Sequence, residues 1–236
     1  SLQQSRRMLG ISTSNGNHRA GTMNPLNRAT VFRDRTDAAH QLAAQLQPYR
    51  GKKPLVLAIP RGAVPMAKSL AAALEGDFDV VLVRKLRAPF APEVAIGSVD
   101  ESGWTYLSPY AATAGADQDY IAAEKQRQLE VIRQRRVQYT PIRPPLNPAG
   151  RTVIVVDDGL ATGATMVAAL YGLRQRHPAK LICAVPVSSP EALAMVRPLA
   201  DEVLCLQAPA EFHAVGQFYR DFSQVEDDEV IALLQP

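Results

Sequence analysis

The chain has 236 residues, 47% of them hydrophobic, which is enough for one substantial core. No apolar run has membrane-spanning length. The two cysteines, Cys183 and Cys205, lie in apolar runs without metal-ligand spacing, which predicts buried thiols in a reducing cytoplasm. The formal net charge is +3, but five arginines before Asp34 contribute +5, so residues 34–236 carry −2. This balance gives no electrostatic case for a nucleic-acid partner.

Residues 1–29 are rich in Ser, Asn, Gly and Arg and show no periodicity, which predicts a flexible N-terminal extension. Upstream translation and an expression remnant are both compatible with it, with Met23 as a candidate natural start. A transit peptide is the functional alternative, although no amphipathic helix is visible. We therefore predict one folded domain over residues 30–236.

Helical and strand patterns alternate from Thr36 onward. Thr36 or Asp37 is predicted to cap a first helix that ends near Pro48. The later patterns predict strands at 55–59, 79–83, 153–156, 181–187 and 202–206, a hairpin around 95–99, and helices ending at Leu74 or covering 120–139, 166–176, 190–199 and 226–234. Such alternation indicates an α/β fold with a doubly wound, mostly parallel sheet and helices on both faces.

One stretch, residues 151–166 (RTVIVVDDGLATGATM), carries the strongest chemical signal. A buried strand runs into Asp157 and Asp158, then into a loop of small residues that opens a helix. The backbone N–H groups and the dipole of such a helix attract a phosphate. The two carboxylates would repel that phosphate and suit ribose hydroxyls or a Mg²⁺-bearing part of the same ligand. The stretch therefore predicts a site for a phosphorylated sugar with a metal nearby.

Two common phosphate-binding motifs are excluded for this stretch. A Walker A loop requires Gly-Lys-Ser/Thr and a dinucleotide fingerprint requires G-x-G-x-x-G, and the sequence has neither. An ordinary strand-to-helix turn fits less well, because it would not need two adjacent carboxylates at the end of a buried strand.

Two further turns are predicted to lie at the same edge of the sheet, because parallel strands present their carboxyl ends together. Arg61 and Gly62 follow the strand at 55–59 and offer a charge-assisted donor and bare backbone N–H groups for a diphosphate. Arg84 and Lys85 follow the strand at 79–83 and could neutralise diphosphate charge. A surface arginine and a solvated charge cluster are the respective alternatives.

Three other segments leave alternatives open. Residues 88–104 predict a mobile loop and a hairpin, in which Glu93 receives no assigned role. The basic face of the helix at 120–139 suits RNA, an acidic partner or plain solvation. Aromatic rings near the carboxyl end, Phe212, Phe218 and Tyr219, suit either stacking on a planar base or closure of the core.

These motifs resemble type I phosphoribosyltransferases, enzymes that use phosphoribosyl diphosphate (PRPP). The similarity extends from about Arg33 to Leu234 and is greatest to a group of stand-alone predicted members. The shared motifs read FRDR, IPRGA, VRKL, DDGLATGATM and FxAVGxxYxDF and stand at Phe32–Arg35, Ile59–Ala63, Val83–Leu86, Asp157–Met166 and Phe212–Phe222. One departure is Arg87-Ala88-Pro89-Phe90, which lacks the glycine usual after VRKL and alters the closing geometry expected of that loop.

The resemblance implies that a nitrogenous base displaces diphosphate from C1 of Mg²⁺-bound PRPP. Catalytic roles then fall to Asp157, Asp158 and Lys85. The implied 5′-phosphate ligands are Ala161, Thr162, Gly163, Ala164 and Thr165, the diphosphate ligands are Arg61, Gly62, Arg84 and Lys85, and the base-binding rings are Phe212, Phe218 and Tyr219. Magnesium would be held mainly by PRPP and water, with Asp157 and Asp158 as the nearest protein ligands.

The resemblance also implies finer features. A flexible lid is expected at 86–104, a hood at 207–225, and an often cis peptide at Pro60–Arg61. Hypoxanthine–guanine enzymes carry a carboxylate three residues after the second acid, where this chain has Ala161, so a purine of the adenine type is favoured. The expected partners are PRPP and a small base, without a membrane or nucleic acid, and a homodimer stays open.

Two other functions remain compatible with the same motifs. A PRPP- or nucleotide-sensing regulator would keep the fold without transferase activity. A PRPP diphosphokinase would need an ATP site that has no counterpart in the sequence.

Overall fold

Strands and helices alternate through residues 31–141 and 144–236, which the computed structural model describes. The predicted extension at 1–29 lies outside these residues. The strands are β1 Leu55–Ala58, β2 Asp77–Val80, β3 Val83–Arg87, β4 Ala95–Asp100, β5 Thr105–Leu107, β6 Thr152–Val156, β7 Lys180–Val187 and β8 Glu202–Gln207. The helices are α1 Arg35–Gln45, α2 Val64–Leu74, α3 Gln118–Tyr139, α4 Ala164–Arg174, α5 Pro190–Val196 and α6 Asp227–Leu233.

Five strands form a parallel sheet in the order β2-β1-β6-β7-β8. Side chains of the central strand β6 alternate between two hydrophobic clusters. Ile154 and Val156 join the cluster that contains residues of α1, α2, α3 and α6, whereas Val153 and Val155 join the cluster that contains residues of α4 and α5. Burial on both faces explains the continuous apolar run. The predicted doubly wound α/β fold is confirmed.

Helix α1 begins earlier than its sequence pattern indicates. The Asp34 carboxylate accepts a hydrogen bond from the backbone N–H of Asp37 at 2.8 Å, so Asp34 is the N-cap. The prediction of Thr36 or Asp37 was wrong by two or three residues, since all three side chains can cap a helix. Within the described ranges, no helix combines the length and apolarity needed to cross a bilayer.

A second, antiparallel sheet in the order β3-β4-β5 begins where one longer strand was predicted. The chain leaves the parallel sheet after Val80 and starts β3 at Val83. The prediction of a single strand at 79–83 was wrong, because a short apolar run cannot distinguish one strand from two. Consequently Arg84 and Lys85 lie on β3 rather than beyond a strand end.

The predicted lid at 86–104 contains the end of β3, all of β4 and the segments that connect β3, β4 and β5. Strands β3 and β4 are joined by residues 88–94, where the Phe90 side chain is 89% exposed. The movement expected of this segment stays a prediction.

Helix α3 forms ion pairs within itself and with residues of β2, β3 and the segment after β4. The buried Glu124 carboxylate contacts Arg87 of β3 at 3.2 Å and Arg127 at 2.8 Å. Arg136 contacts Asp79 at 2.9 Å and Glu101 at 2.6 Å. Part of the positive charge of the predicted basic face is therefore neutralised by carboxylates of the protein itself.

Substitution of Gly172 tests the contact between α4 and β4. A Cβ at this position would overlap the Asp100 carboxylate and lie 2.8 Å from its Cγ. That carboxylate is buried and accepts hydrogen bonds from Ser102 and Trp104. Gly172→Ala should lower the free energy of unfolding by about 1–3 kcal/mol, although the same change inside a free helix stabilises it.

Chemical unfolding would measure the change. The Asp100→Ala/Gly172→Ala double variant should lose less than the sum of the single changes, because the overlap is removed. A more stable Gly172→Ala protein would contradict this account of the contact.

Candidate active site

Part of each predicted phosphate motif lines one cavity of about 610 Å³, and the predicted residues outside its lining are Arg61, Gly62, Asp157, Asp158, Ala161 and Gly163. It lies at the carboxyl ends of β2, β1 and β6, with β3, β4 and α3 forming further walls. The sequence-predicted residues that line it are Arg84, Lys85, Thr162, Ala164 and Thr165, together with Pro60 of the first turn. Three turns that are distant in the chain therefore share one concave, cationic site.

The loop before α4 is shaped to receive an anion. Gly163 is the N-cap of α4 with φ +79°, a conformation that suits glycine. Within the described residues, the N–H groups of Thr162 and Gly163 form no hydrogen bond. The Ser189 hydroxyl donates to the carbonyl of Ala161 at 2.7 Å and fixes the start of the loop. Free N–H groups at a helix start are the usual donors to a phosphate.

The first turn contains the expected cis peptide between Pro60 and Arg61. Among the described residues, the N–H groups of Arg61 and Gly62 also form no hydrogen bond. The Arg61 side chain, however, contacts the carboxylates of Glu226 and Asp227, each at 3.7 Å. The Arg61 guanidinium therefore lies beside carboxylates of the last segment, and its role as a side-chain ligand of the diphosphate stays a prediction.

Asp158 has a partner that the sequence patterns do not assign. Its carboxylate forms an ion pair with Arg35 at 3.1 Å, and Arg35 also donates to the Ser223 carbonyl at 2.5 Å. A Cβ at Gly62 would overlap the Asp158 carboxylate, so glycine permits this approach. The FRDR motif contains Arg35 and could have drawn attention to it. Arg35 and Asp158 are 123 positions apart, however, and no sequence pattern pairs them.

Asp157 is held in a different electrostatic environment. Burial, and then the adjacent charge of Asp158, raise the pKa of Asp157 well above its usual value. Its carboxylate oxygen accepts a hydrogen bond from the backbone N–H of Asp158 at 2.9 Å. The two acids therefore differ, because Arg35 compensates the charge of Asp158 directly.

The aromatic prediction requires correction. Phe218 and Tyr219 are 2% and 5% exposed, which leaves neither ring a free face for a base. Tyr219 donates its hydroxyl to the Asp158 carbonyl at 2.6 Å, and burial raises its pKa. Phe212 is half-buried with its ring 5.3 Å from that of Phe218. Two of the three rings thus close the core, as the alternative interpretation of this segment predicts.

The acids present suit a metal held mainly by a substrate. Within the described part of the chain, no group of three or more His, Cys, Asp or Glu is placed to hold an ion. Asp157 and Asp158 supply carboxylate oxygens, the ligand type that Mg²⁺ prefers, and this ion keeps several water or phosphate ligands.

Comparison with known proteins identifies the family. Residues 30–223 match the phosphoribosyl transferase domain. The chain belongs to the phosphoribosyl transferase family. The resemblance stated from the sequence motifs is confirmed.

Individual relatives agree with this membership. Two curated proteins of Mycobacterium tuberculosis, from strains CDC 1551 / Oshkosh and H37Rv, bear the name "Putative phosphoribosyl transferase" and are 42% identical over 206 residues. The match covers 86% of this chain and 46% of theirs, so the chain spans slightly less than half the length of these relatives.

Solved structures show the same fold. TT1426 from Thermus thermophilus is 46% identical with a TM-score of 0.78, and the match covers 87% of this chain and 98% of that one. A hypothetical protein from Neisseria gonorrhoeae, solved with bound ppGpp, is 15% identical with a TM-score of 0.50 over 88% of this chain and 98% of its own. At that identity the likeness concerns the fold alone.

The raised pKa of Asp157 predicts a pH-dependent stability difference. A carboxyl group whose pKa is raised by folding stabilises the native state in its protonated form, and that contribution is lost as pH rises through the raised pKa. Asp157→Asn stays neutral and keeps the acceptor oxygen. At pH 8 it should melt about 2–4 °C above wild type, on the order of 1 kcal/mol, with little difference at pH 4.

Thermal unfolding followed by circular dichroism at both pH values would measure this. Glu211→Gln, which changes an exposed carboxylate, is the control and should show no such trend. If the difference in melting temperature between Asp157→Asn and wild type is the same at pH 4 and pH 8, the raised pKa of Asp157 is contradicted.

Proposed function

We propose that this chain transfers a 5-phosphoribosyl group from PRPP to a nitrogenous base and releases diphosphate. In this reaction the bond from C1 of the ribose to diphosphate breaks, a C1–N bond forms, and the base loses a proton. The observation that carries the proposal is the single cavity shared by the loop before α4 and the cations of β3. A ligand with phosphates at both ends of a ribose suits that arrangement.

Each end of PRPP has its own set of donors. Residues 161–165 would hold the 5′-phosphate through backbone N–H groups and the hydroxyls of Thr162 and Thr165. The backbone of Arg61 and Gly62 would bind the diphosphate. Arg84 and Lys85 would offset the negative charge that grows on diphosphate as it leaves.

The acids would act on the ribose between these ends. Asp158, oriented by Arg35, would accept a ribose hydroxyl, and Asp157 would accept another. A Mg²⁺ ion would be bound chiefly by PRPP and water, with Asp157 and Asp158 as its nearest protein ligands. The ion would neutralise phosphate charge.

The acceptor that we favour is a purine of the adenine type. Ala161 stands where hypoxanthine–guanine enzymes carry a carboxylate, so the loop offers no acid to N7 of a 6-oxopurine. With Phe218 and Tyr219 buried, Phe212 is the remaining ring of the predicted set that a base could contact.

The phosphate assignment predicts a loss of PRPP binding on substitution of Gly163. A valine there would be strained at φ +79° and its Cβ would lie 3.1 Å from the Cβ of Ala192. Gly163→Val should bind PRPP at least about tenfold more weakly in isothermal titration, because the N–H groups of the loop are displaced.

Gly150→Val is the matched control, since Gly150 has φ +69° but lies in open space before β6. Both variants carry a strained residue, but only Gly163→Val should lose PRPP. Wild-type affinity in Gly163→Val would refute the phosphate assignment. PRPP binding without turnover of any base would favour the sensing regulator over the transferase.

The acceptor assignment predicts both a preference and its reversal. With a PRPP analogue bound, wild type should bind adenine more tightly than guanine, uracil or orotate. Ala161→Asp restores the missing acid at an exposed position and should improve guanine binding about tenfold. Ala161→Asn, of equal size but neutral, is the control. Tight guanine binding by wild type, or no binding of any base, would defeat this assignment.

A further inference from the structure

We propose that Arg135 of α3 is a third cationic ligand, with Arg84 and Lys85, for the diphosphate group in the cavity. This inference rests on the proposed function, because it names a further residue for the same ligand. No sequence motif includes Arg135, which by its spacing belongs to the basic face of a surface helix.

Arg135 differs from the other arginines of α3 in its surroundings. Arg127, Arg133 and Arg136 each contact a carboxylate, namely Glu124, Glu130, or Asp79 and Glu101. Arg135 lines the cavity and forms no ion pair within the described residues. One turn earlier on the same helix face, Ile132 also lines the cavity, so this face of α3 is a wall of the site.

The opposite wall holds a cation in a fixed orientation. Arg84 donates to the Gln128 side chain at 3.1 Å, and the Gln128 amide donates to the buried Glu124 at 2.6 Å. This chain of hydrogen bonds positions Arg84 without a direct ion pair. Lys85 donates to the backbone carbonyl of Glu93 at 3.4 Å, so it also keeps its charge uncompensated by a contact.

Like charges gathered in this way favour an anion between them. Among the described residues that line the cavity, Glu93 is the one carboxylate, against Arg84, Lys85 and Arg135. Burial is the main cause that lowers the pKa of Arg84, the charges of Arg135 and Arg87 lower it further, and the charge of Glu124 acts in the opposite direction. A neutral base would leave this repulsion in place, whereas a phosphate group would relieve it.

The diphosphate is the anion that Arg135 suits best, since Arg84 and Lys85, the cations proposed for it, line the same cavity. The 5′-phosphate has the loop before α4 as its own cradle. Arg61, the cation predicted for the diphosphate, is already in contact with Glu226 and Asp227. Arginine suits the role of a diphosphate ligand, since its planar guanidinium can donate two hydrogen bonds to one phosphate group.

Titration of three anions into matched variants tests this assignment. Wild type, Arg135→Gln, Arg135→Lys and Arg133→Gln would be titrated with inorganic diphosphate, PRPP and ribose 5-phosphate at one fixed ionic strength. Arg133 is two residues away on α3, is exposed and contacts Glu130, so Arg133→Gln removes the same charge outside the cavity.

We expect Arg135→Gln to weaken diphosphate and PRPP binding about ten- to a hundredfold while ribose 5-phosphate binding stays within about threefold of wild type. Arg135→Lys should recover part of the loss, because it keeps the charge without the fork. Arg133→Gln should bind all three like wild type. Should Arg135→Gln fail to fold, the deficit of Arg135→Lys on diphosphate alone decides the question.

The remaining outcomes separate this inference from the proposed function. If wild type binds PRPP, and Arg135→Gln binds diphosphate with the same affinity as wild type, the Arg135 assignment fails and the proposed function stands. Equal losses of affinity for all three anions would also overturn the Arg135 assignment. If wild type binds diphosphate but not PRPP, the proposed function fails. The Arg135 assignment is then decided by the diphosphate affinity of Arg135→Gln compared with that of wild type. Binding of neither overturns both.

Discussion

Arg35 and Asp158 form an ion pair of 3.1 Å at the point where four segments of the chain meet. Arg35 is the first residue of α1, and Asp158 lies two residues beyond the end of β6. Gly62 belongs to the turn after β1, and the Ser223 carbonyl in the last segment accepts a hydrogen bond from Arg35. Both side chains are largely buried, which makes the loss of one partner costly because the other would remain as an uncompensated charge. The geometry of Asp158 therefore depends on the packing of α1 and the carboxyl-terminal segment.

The candidate site combines carboxylates and cations that each lack full charge compensation. On the side of the acids, burial and the charge of Asp158 disfavour negative charge on Asp157, and Arg35 forms its direct ion pair with Asp158. On the side of the cavity, cations from β3 and α3 face one another with one lining carboxylate among the described residues. Under the proposed function, the hydroxyls of a phosphorylated ribose would contact the acids and its phosphates would contact the cations.

Much of the fold and the core of the site could be predicted from the sequence, because the relevant signals are local. The apolar run at 153–156 and the small residues at 159–165 each determine their own conformation, as the left-handed Gly163 illustrates. The misplaced features of the site depend on residues far away in the chain. Tyr219 is buried where its hydroxyl contacts the Asp158 carbonyl, and the position of the Arg61 guanidinium depends on its contacts with Glu226 and Asp227. No periodicity distinguishes Arg135 from Arg133, since what differs is the wall that each one faces.

The family match ends at residue 223, yet the physical unit extends further. Glu226 and Asp227 contact Arg61 of the turn after β1, and Asp227 also accepts a hydrogen bond from the buried Tyr139 of α3 at 2.9 Å. Val230 and Leu234 complete the core on that face. A protein cut at the homology boundary would therefore leave the Arg61 guanidinium without these carboxylates and would expose the core beneath it. The electrostatics of this active site are set partly by residues that the common domain does not include.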